Sequence, residues 1–247
     1  MNSCSRYYLP PQHWQADQLE LIGDEAHHCA RVLRSKEGDC VEIFDGEGTA
    51  VQGEITSLSK DSVIIKLSSE PVQTTPSADI HLIQSIPKGG NMELIVQKAV
   101  ELGISSIQPL ITENTVARPE QMEKKLVKWQ RIALEACKQC GQNYLPKIHS
   151  VAKFPDWITN TGSSHAELNL VAALLPFSLP MHEIFSQNIP KKSAGFLIGP
   201  EGDFSDKEYQ QILATDYQPV SLGDIVLRVE TATLYCLSVI KHELSAQ

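Results

Sequence analysis

Between residues 6 and 69, apolar and polar positions alternate in short runs. Cys40-Val41-Glu42-Ile43-Phe44 and Ser62-Val63-Ile64-Ile65-Lys66-Leu67 are two such runs, and the turn-rich Asp45-Gly46-Glu47-Gly48 lies between them. Side chains along a strand point alternately to opposite faces, so this period predicts a small β-rich unit, interrupted by one helix from Asp24 to Val32. The stretch Ser68–Ser77 is polar, carries Pro71 and Pro76 and has no period, which marks a linker. The expected organisation is a domain over residues 1–70, a linker over 71–78 and a second domain over 79–247.

Beyond the linker, apolar runs of strand length alternate with helical patterns, which predicts an α/β domain with a mostly parallel sheet covered on both faces. The strand runs are Ile80–Ile86, Ile104–Ile111, Leu170–Leu175, Ala194–Ile198 and Pro219–Leu222. The helices are Asn91–Leu102, stopped by Gly103; Pro119–Cys140, with proline at the first helical position; Ser205–Ala214, with Ser205 as cap and Glu208 three residues on; and Val229–Leu244. On the helix from Pro119, Met122, Leu126, Trp129, Ala133, Ala136 and Cys140 form one apolar stripe, and Lys124, Lys128, Arg131 and Lys138 lie off it. Those cations suit either a solvated face or a basic face turned to RNA.

Composition narrows the function classes. The formal charge is −9, and neither the N-terminal domain nor the remainder is net basic, which excludes a broad, non-specific nucleic-acid binder and leaves room for local basic patches. No apolar run approaches the roughly 18 residues that a membrane span needs, and the N-terminus lacks an apolar core of the secretory kind. The expectation is a cytoplasmic protein with no membrane association. Cys4, Cys29, Cys40, Cys137, Cys140 and Cys236 are accordingly expected to be reduced thiols. Cys137 and Cys140 supply half of a zinc site, and His27-His28 point in different directions, so no metal is expected.

Two segments concentrate the chemistry. Ile198-Gly199-Pro200-Glu201-Gly202-Asp203-Phe204-Ser205 and Leu222-Gly223-Asp224-Ile225-Val226-Leu227-Arg228-Val229-Glu230-Thr231-Ala232 each place a glycine-bearing loop after a strand and before a helix. In open parallel sheets that is where ligands bind. Neither segment has the Gly-Lys-Ser/Thr of a phosphate loop or the Gly-x-Gly-x-x-Gly of a dinucleotide site, so nucleoside triphosphate and NAD readings lose support. Arg228 and Glu230 could form an ion pair that caps a helix, or could face a ligand beside the apolar Ile225-Val226-Leu227.

These segments, together with His27-His28-x-x-Arg31-Val32-Leu33-Arg34, Gly38-Asp39, Lys88-Gly89-x-x-Met92-Glu93, Gln97-Lys98, Glu101-Leu102-Gly103, Trp129-x-x-Ile132, Glu135-Ala136, Gln139-Cys140 and Pro146, resemble the RsmE family of 16S ribosomal RNA (uridine-N3) methyltransferases over nearly the whole chain. The resemblance implies a SPOUT-type α/β trefoil-knot methyltransferase domain preceded by a small PUA-like β-barrel that binds RNA. It departs from the family's pattern at Asp203, where glycine is common; around Asn114, where arginine or serine is common; and after Glu93, where Leu94 stands in place of an aromatic.

The resemblance further implies S-adenosylmethionine as cofactor, against a wall of Leu174, Leu175, Pro176, Gly199, Pro200, Glu201, Gly202, Leu222, Gly223, Ile225 and Leu227. Arg228 is the candidate for stabilising negative charge on uracil, and Glu230 or Glu201 for accepting or orienting the N3 proton. Arg31, Arg34 and Lys88 are candidate RNA-phosphate contacts. The expected partners are 16S rRNA within the small ribosomal subunit and a second copy of the chain, met through the last helix with Leu234, Leu237, Val239 and Ile240. Two other readings remain: a methyltransferase of this fold acting on another RNA position, and a non-catalytic RNA-binding ribosome-assembly factor.

Overall fold

The alternating runs become strands, and their pairing explains which face of each is apolar. The structure is a computed structural model and describes residues 4–59, 61–76, 78–116, 122–161, 166–187 and 192–245. Up to Pro76 the order is β1 (Ser5–Tyr8), β2 (Gln18–Ile22), α1 (Gly23–His27) running on into a π-helical turn over His28–Val32, β3 (Cys40–Phe44), β4 (Thr49–Leu58), β5 (Ser62–Leu67) and β6 (Val72–Gln73). The sheet runs β1-β3-β4-β5-β2 with β6 on β4, and β1 with β3 is its parallel pair. Every second side chain points inward. Leu19 and Leu21, Val41 and Ile43, and Val63 and Ile65 gather around Tyr7, with Ala26 and Cys29 of the helical segment in the same cluster. Each aliphatic side chain buried there contributes about 1.5–3 kcal/mol relative to exposure.

Three features depart from expectation. Not all the cysteines are reduced thiols: Cys4 and Cys40 form a disulfide, with Cα atoms 5.3 Å apart. The reason is register. Ser5 stands opposite Val41 in the parallel ladder, so the preceding residues, both cysteines, stand opposite each other too. Second, the stretch read as linker contributes β6, whose Val72 and Gln73 pair with Ala50 and Thr49. Third, Cys137–Leu145 belongs to this first compact unit although its sequence lies inside the second. Arg6 holds it, donating to the Cys137 carbonyl (3.0 Å) and to the Asn143 side chain, while pairing with Glu42 and stacking on the Phe44 ring.

In the second unit the order is β7 (Asp79–Ser85), α2 (Asn91–Glu101), β8 (Ser106–Ile111), α3 (Met122–Cys140), β9 (Lys147–Ile148), β10 (Ala152–Lys153), α4 (Phe154–Thr161), β11 (Leu168–Ala172), β12 (Leu179–Pro180), α5 (Met181–Gln187), β13 (Ser193–Ile198), α6 (Asp206–Leu213), β14 (Gln218–Ser221) and α7 (Val229–Ser245). The expected helix start at Pro119 lies outside the described residues. All pairings among the described residues are parallel, in the order β10-β8-β7-β13-β11-β14-β12 with β9 beside β8. Strands covered on both faces read as apolar runs, and β13, Ser193-Ala194-Gly195-Phe196-Leu197-Ile198, is buried at every position but its first.

The α3 stripe is buried through Met122, Trp129, Ala133 and Ala136, but at its end Cys137 is buried and Cys140 is exposed. That last turn groups with the first unit. There Cys137 Sγ donates to the Tyr144 carbonyl, and Lys138, expected off the stripe, is buried in an ion pair with Glu25.

Candidate functional site

The expected strand Leu170–Leu175 leaves the sheet at Ala172, and that early exit opens a cleft. It has a volume of about 470 Å³ and lies at the C-terminal ends of three neighbouring strands, β11, β13 and β14. Ala173 and Leu174 follow β11, Gly199-Pro200-Glu201 follow β13, Leu222-Gly223 follow β14, and the loop to α7 adds Ile225-Val226-Leu227-Arg228. Volume and position are those of a cofactor site in a parallel α/β sheet.

Glycines and caps shape the walls. Gly223 has φ +117°, a backbone open in practice to glycine alone. A Cβ on Gly199 would meet Asp203 Oδ1 at 3.1 Å and the Phe204 ring at 3.2 Å, so the turn is packed to the backbone. Asp203, where the resemblance carries glycine, does adopt a left-handed conformation at φ +59°. Its Oδ1 accepts from the Phe204 N–H (2.8 Å) and the Tyr209 hydroxyl (2.7 Å), which offsets the strain. Burial, and then the bond to Asp203, push the Tyr209 phenol far above its usual range. The Ser205–Glu208 capping box forms as expected. Phe204 and Tyr209 anchor the turn in an aromatic cluster with Phe154 on α4, at ring separations of 5.5–6.0 Å.

The other wall comes from α7. Thr233 Oγ1, fully buried, donates to Gln84 Oε1 on β7 at 2.7 Å and so fixes the entry of α7 against the sheet. Arg228 immediately precedes the helix, is exposed, and lines the cleft with no ion-pair or side-chain hydrogen-bond partner among the described residues. The capping ion pair between Arg228 and Glu230 does not form. Glu230 Oε2 instead accepts from Asn91 Nδ2 at 3.1 Å. Glu201 Oε1 likewise accepts from the Lys88 backbone N–H at 2.9 Å, so one candidate carboxylate holds the loop before α2 and the other the first residue of α2.

Of the sequence-derived residues, Leu174, Gly199, Pro200, Glu201, Leu222, Gly223, Ile225, Leu227, Arg228 and Glu230 line one cleft. Leu175, Pro176 and Gly202 do not line it. Leu175 packs against the core, and Gly202 faces Asn114, whose Nδ2 donates to the Gly202 and Asp203 carbonyls at 3.0 and 2.9 Å. Lys88 is exposed beside Glu201, and Arg31 and Arg34 are exposed on the first unit, Arg34 with φ +54°. Val226, in the apolar loop expected beside a ligand, lines the cleft as well, whereas Asn91, Ala173 and Asp203 line it and were missed. On the last helix Leu237 and Ile240 are core, while Leu234 and Val239 are half-buried. No metal-binding cluster and no helix long and apolar enough to cross a membrane occur among the described residues.

Residues 74–241 match the family described as RNA methyltransferase domain, and residues 21–68 the family described as RNA methyltransferase PUA domain. The chain is 30% identical over 228 residues to the Ribosomal RNA small subunit methyltransferase E of Buchnera aphidicola subsp. Schizaphis graminum, covering 90% of this chain and 89% of that protein. Two solved structures are similar over nearly their full lengths. One is a putative methyltransferase from Legionella pneumophila in complex with the bound cofactor SAM, with 31% identity, 97% of this chain and 98% of that one covered, and TM-score 0.87. The other is a Ribosomal RNA small subunit methyltransferase E from Neisseria gonorrhoeae bound to S-adenosyl methionine, with 28% identity, the same coverages and TM-score 0.86.

Proposed function

Because the chain belongs to the RsmE family of RNA methyltransferases, with a SPOUT-type catalytic domain preceded by a PUA-like domain, we propose that it transfers the methyl group of S-adenosylmethionine to N3 of one uridine in small-subunit ribosomal RNA. The observation that carries this reading is the unpaired Arg228 beside a cleft whose other charged lining groups, Glu201, Asp203 and Glu230, are acidic. An acidic cleft favours a cationic sulfonium and disfavours a pyrophosphate. Backbone amides and carbonyls of Gly199–Glu201, Leu222 and Gly223 hold the cofactor, and Leu174, Ile225 and Leu227 wall it.

Uracil N3 carries a proton and is a poor nucleophile until that proton leaves. As it leaves, charge spreads to the flanking carbonyl oxygens, and the guanidinium of Arg228 is the group that meets it. Glu230 orients the base or takes the proton through the oxygen not bound to Asn91, and Glu201 keeps Lys88 at the mouth of the cleft. Holding sulfonium methyl and nitrogen in line supplies the rest of the rate. Arg31, Arg34 and Lys88 contact phosphates, so that the target is recognised by shape and its base is presented out of its stack. Leu174 and Phe177, 66% and 59% exposed, and Ile225 and Val226, 74% and 76%, are apolar surface for a second copy of the chain to cover in a homodimer. The site of action is the cytoplasm, where the subunit is assembled.

The test is label transfer from S-adenosylmethionine to small subunits taken from cells lacking this protein, followed by nucleoside mass spectrometry. The expected product is N3-methyluridine at a single position. Label on a ribose or another base would overturn the uridine-N3 assignment, and cofactor binding without any label would overturn the catalytic one.

A further inference from the structure

Among the described residues, four charged side chains line the cleft, the carboxylates Glu201, Asp203 and Glu230 and the single cation Arg228. Arginine and carboxylate form the strongest polar contact available among such groups, often through two parallel hydrogen bonds, and here it does not form. Each carboxylate is engaged by neutral donors instead. Glu201 accepts from the Lys88 N–H, Asp203 from the Phe204 N–H and the Tyr209 hydroxyl, and Glu230 from the Asn91 carboxamide. Glu230 is the carboxylate two residues from Arg228 at the same helix entry, and a single side chain holds it.

We infer that Asn91 is a positioning residue that, by holding Glu230, keeps the Arg228 guanidinium unpaired and available to the anion formed from the target base. This rests on the proposed role of Arg228. The geometry suits it. Asn91 is the first residue of α2, two residues after Gly89 at φ +66°, and α2 packs on α7, so donor and acceptor stand on two helices in contact. An ionised carboxylate has no hydrogen to give, so the amide must turn Nδ2 to Glu230. The Glu201 bond to Lys88 N–H secures the same segment three residues earlier. The charged groups at the ends of the elements that meet here are Lys88 before α2, Glu201 and Asp203 after β13, Asp224 and Arg228 after β14, and Glu230 on α7; farther along, α2 carries Glu93, paired with Lys128, and Lys98 with Glu101, and the last turns of α7 carry Lys241, His242 and Glu243. Without the amide, Glu230 closes on Arg228 and cancels its charge.

The experiment compares pH–rate profiles of the full-length protein with Asn91→Ala and with the isosteric Asn91→Asp, which replaces the donor by a group that repels Glu230. Methyl transfer at neutral pH is expected to fall by about 100-fold, the lower end of what losing one anion-stabilising donor costs. The deficit should shrink as pH rises, because alkali forms the base anion that the free guanidinium otherwise stabilises. Cofactor affinity by calorimetry and the thermal melt should stay as in the parent. A parental profile in either variant, or a loss equal at every pH, as a merely loosened loop would give, overturns the inference. Total label transferred is the readout here, whereas the identity of the methylated nucleoside reports on the uridine-N3 reading, so the two can fail separately.

Discussion

Arg228 stands at the positive end of the α7 dipole with no partner to neutralise it, a placement that costs the fold about 0.3–1 kcal/mol. Arg228→Ala is therefore expected to unfold in urea no earlier than the parent while losing methyl transfer and keeping cofactor binding. Parental turnover in that variant would remove Arg228 from the chemistry. Gly223 makes the converse case. Nothing lies within 4 Å of a Cβ built there, yet φ is +117°, so Gly223→Ala meets open space and a strained backbone worth about 1–3 kcal/mol. Weaker cofactor binding in calorimetry is expected, and unchanged affinity would show that the turn yields without cost. Both residues were legible in the sequence because the motif around them is local. That Glu230 turns from Arg228 to Asn91 was not, since the two partners are 139 residues apart.

Among the elements, α6 was the most readable, because Ser205 and Glu208 sit at the spacing of a capping box and the helix follows directly. Glu208 also accepts from the Glu113 N–H at 3.0 Å, so the cap joins α6 to the loop after β8. Ser205→Ala should cost about 1 kcal/mol, the usual value of an N-cap, seen as a lower midpoint in urea. An unchanged midpoint would mean that Glu208 alone holds the helix start. The run Leu170–Leu175 misled as to where β11 ends, because an apolar cleft wall continues the pattern of an apolar strand. The short α4 and α5 escaped detection because eight and seven residues hold too few turns to show a period.

For the whole molecule, the sequence announced alternating strands and helices, and with them a parallel sheet, but not the strand order. β13 lies between β7 and β11, away from the neighbours in sequence that a local reading would give it. In that unit His149 has its pKa lowered from the usual 6.5, chiefly by burial and then by Lys147 and His81. The unfolded chain therefore takes up its proton first, so this contribution to stability is fully present above pH 6.5 and is lost as pH falls from there towards the lowered value. The parent should lose more stability on acidification through that window than His149→Gln, and parallel urea midpoints would refute this. The membership of Cys137–Leu145 in the first unit carries a consequence for synthesis. Domains usually fold in the order in which the ribosome delivers them. Here, when β6 emerges, Arg6 still lacks Asn143 and the Cys137 carbonyl, and Glu25 still lacks Lys138. The first unit must wait, incomplete, until more than half of the chain has been translated.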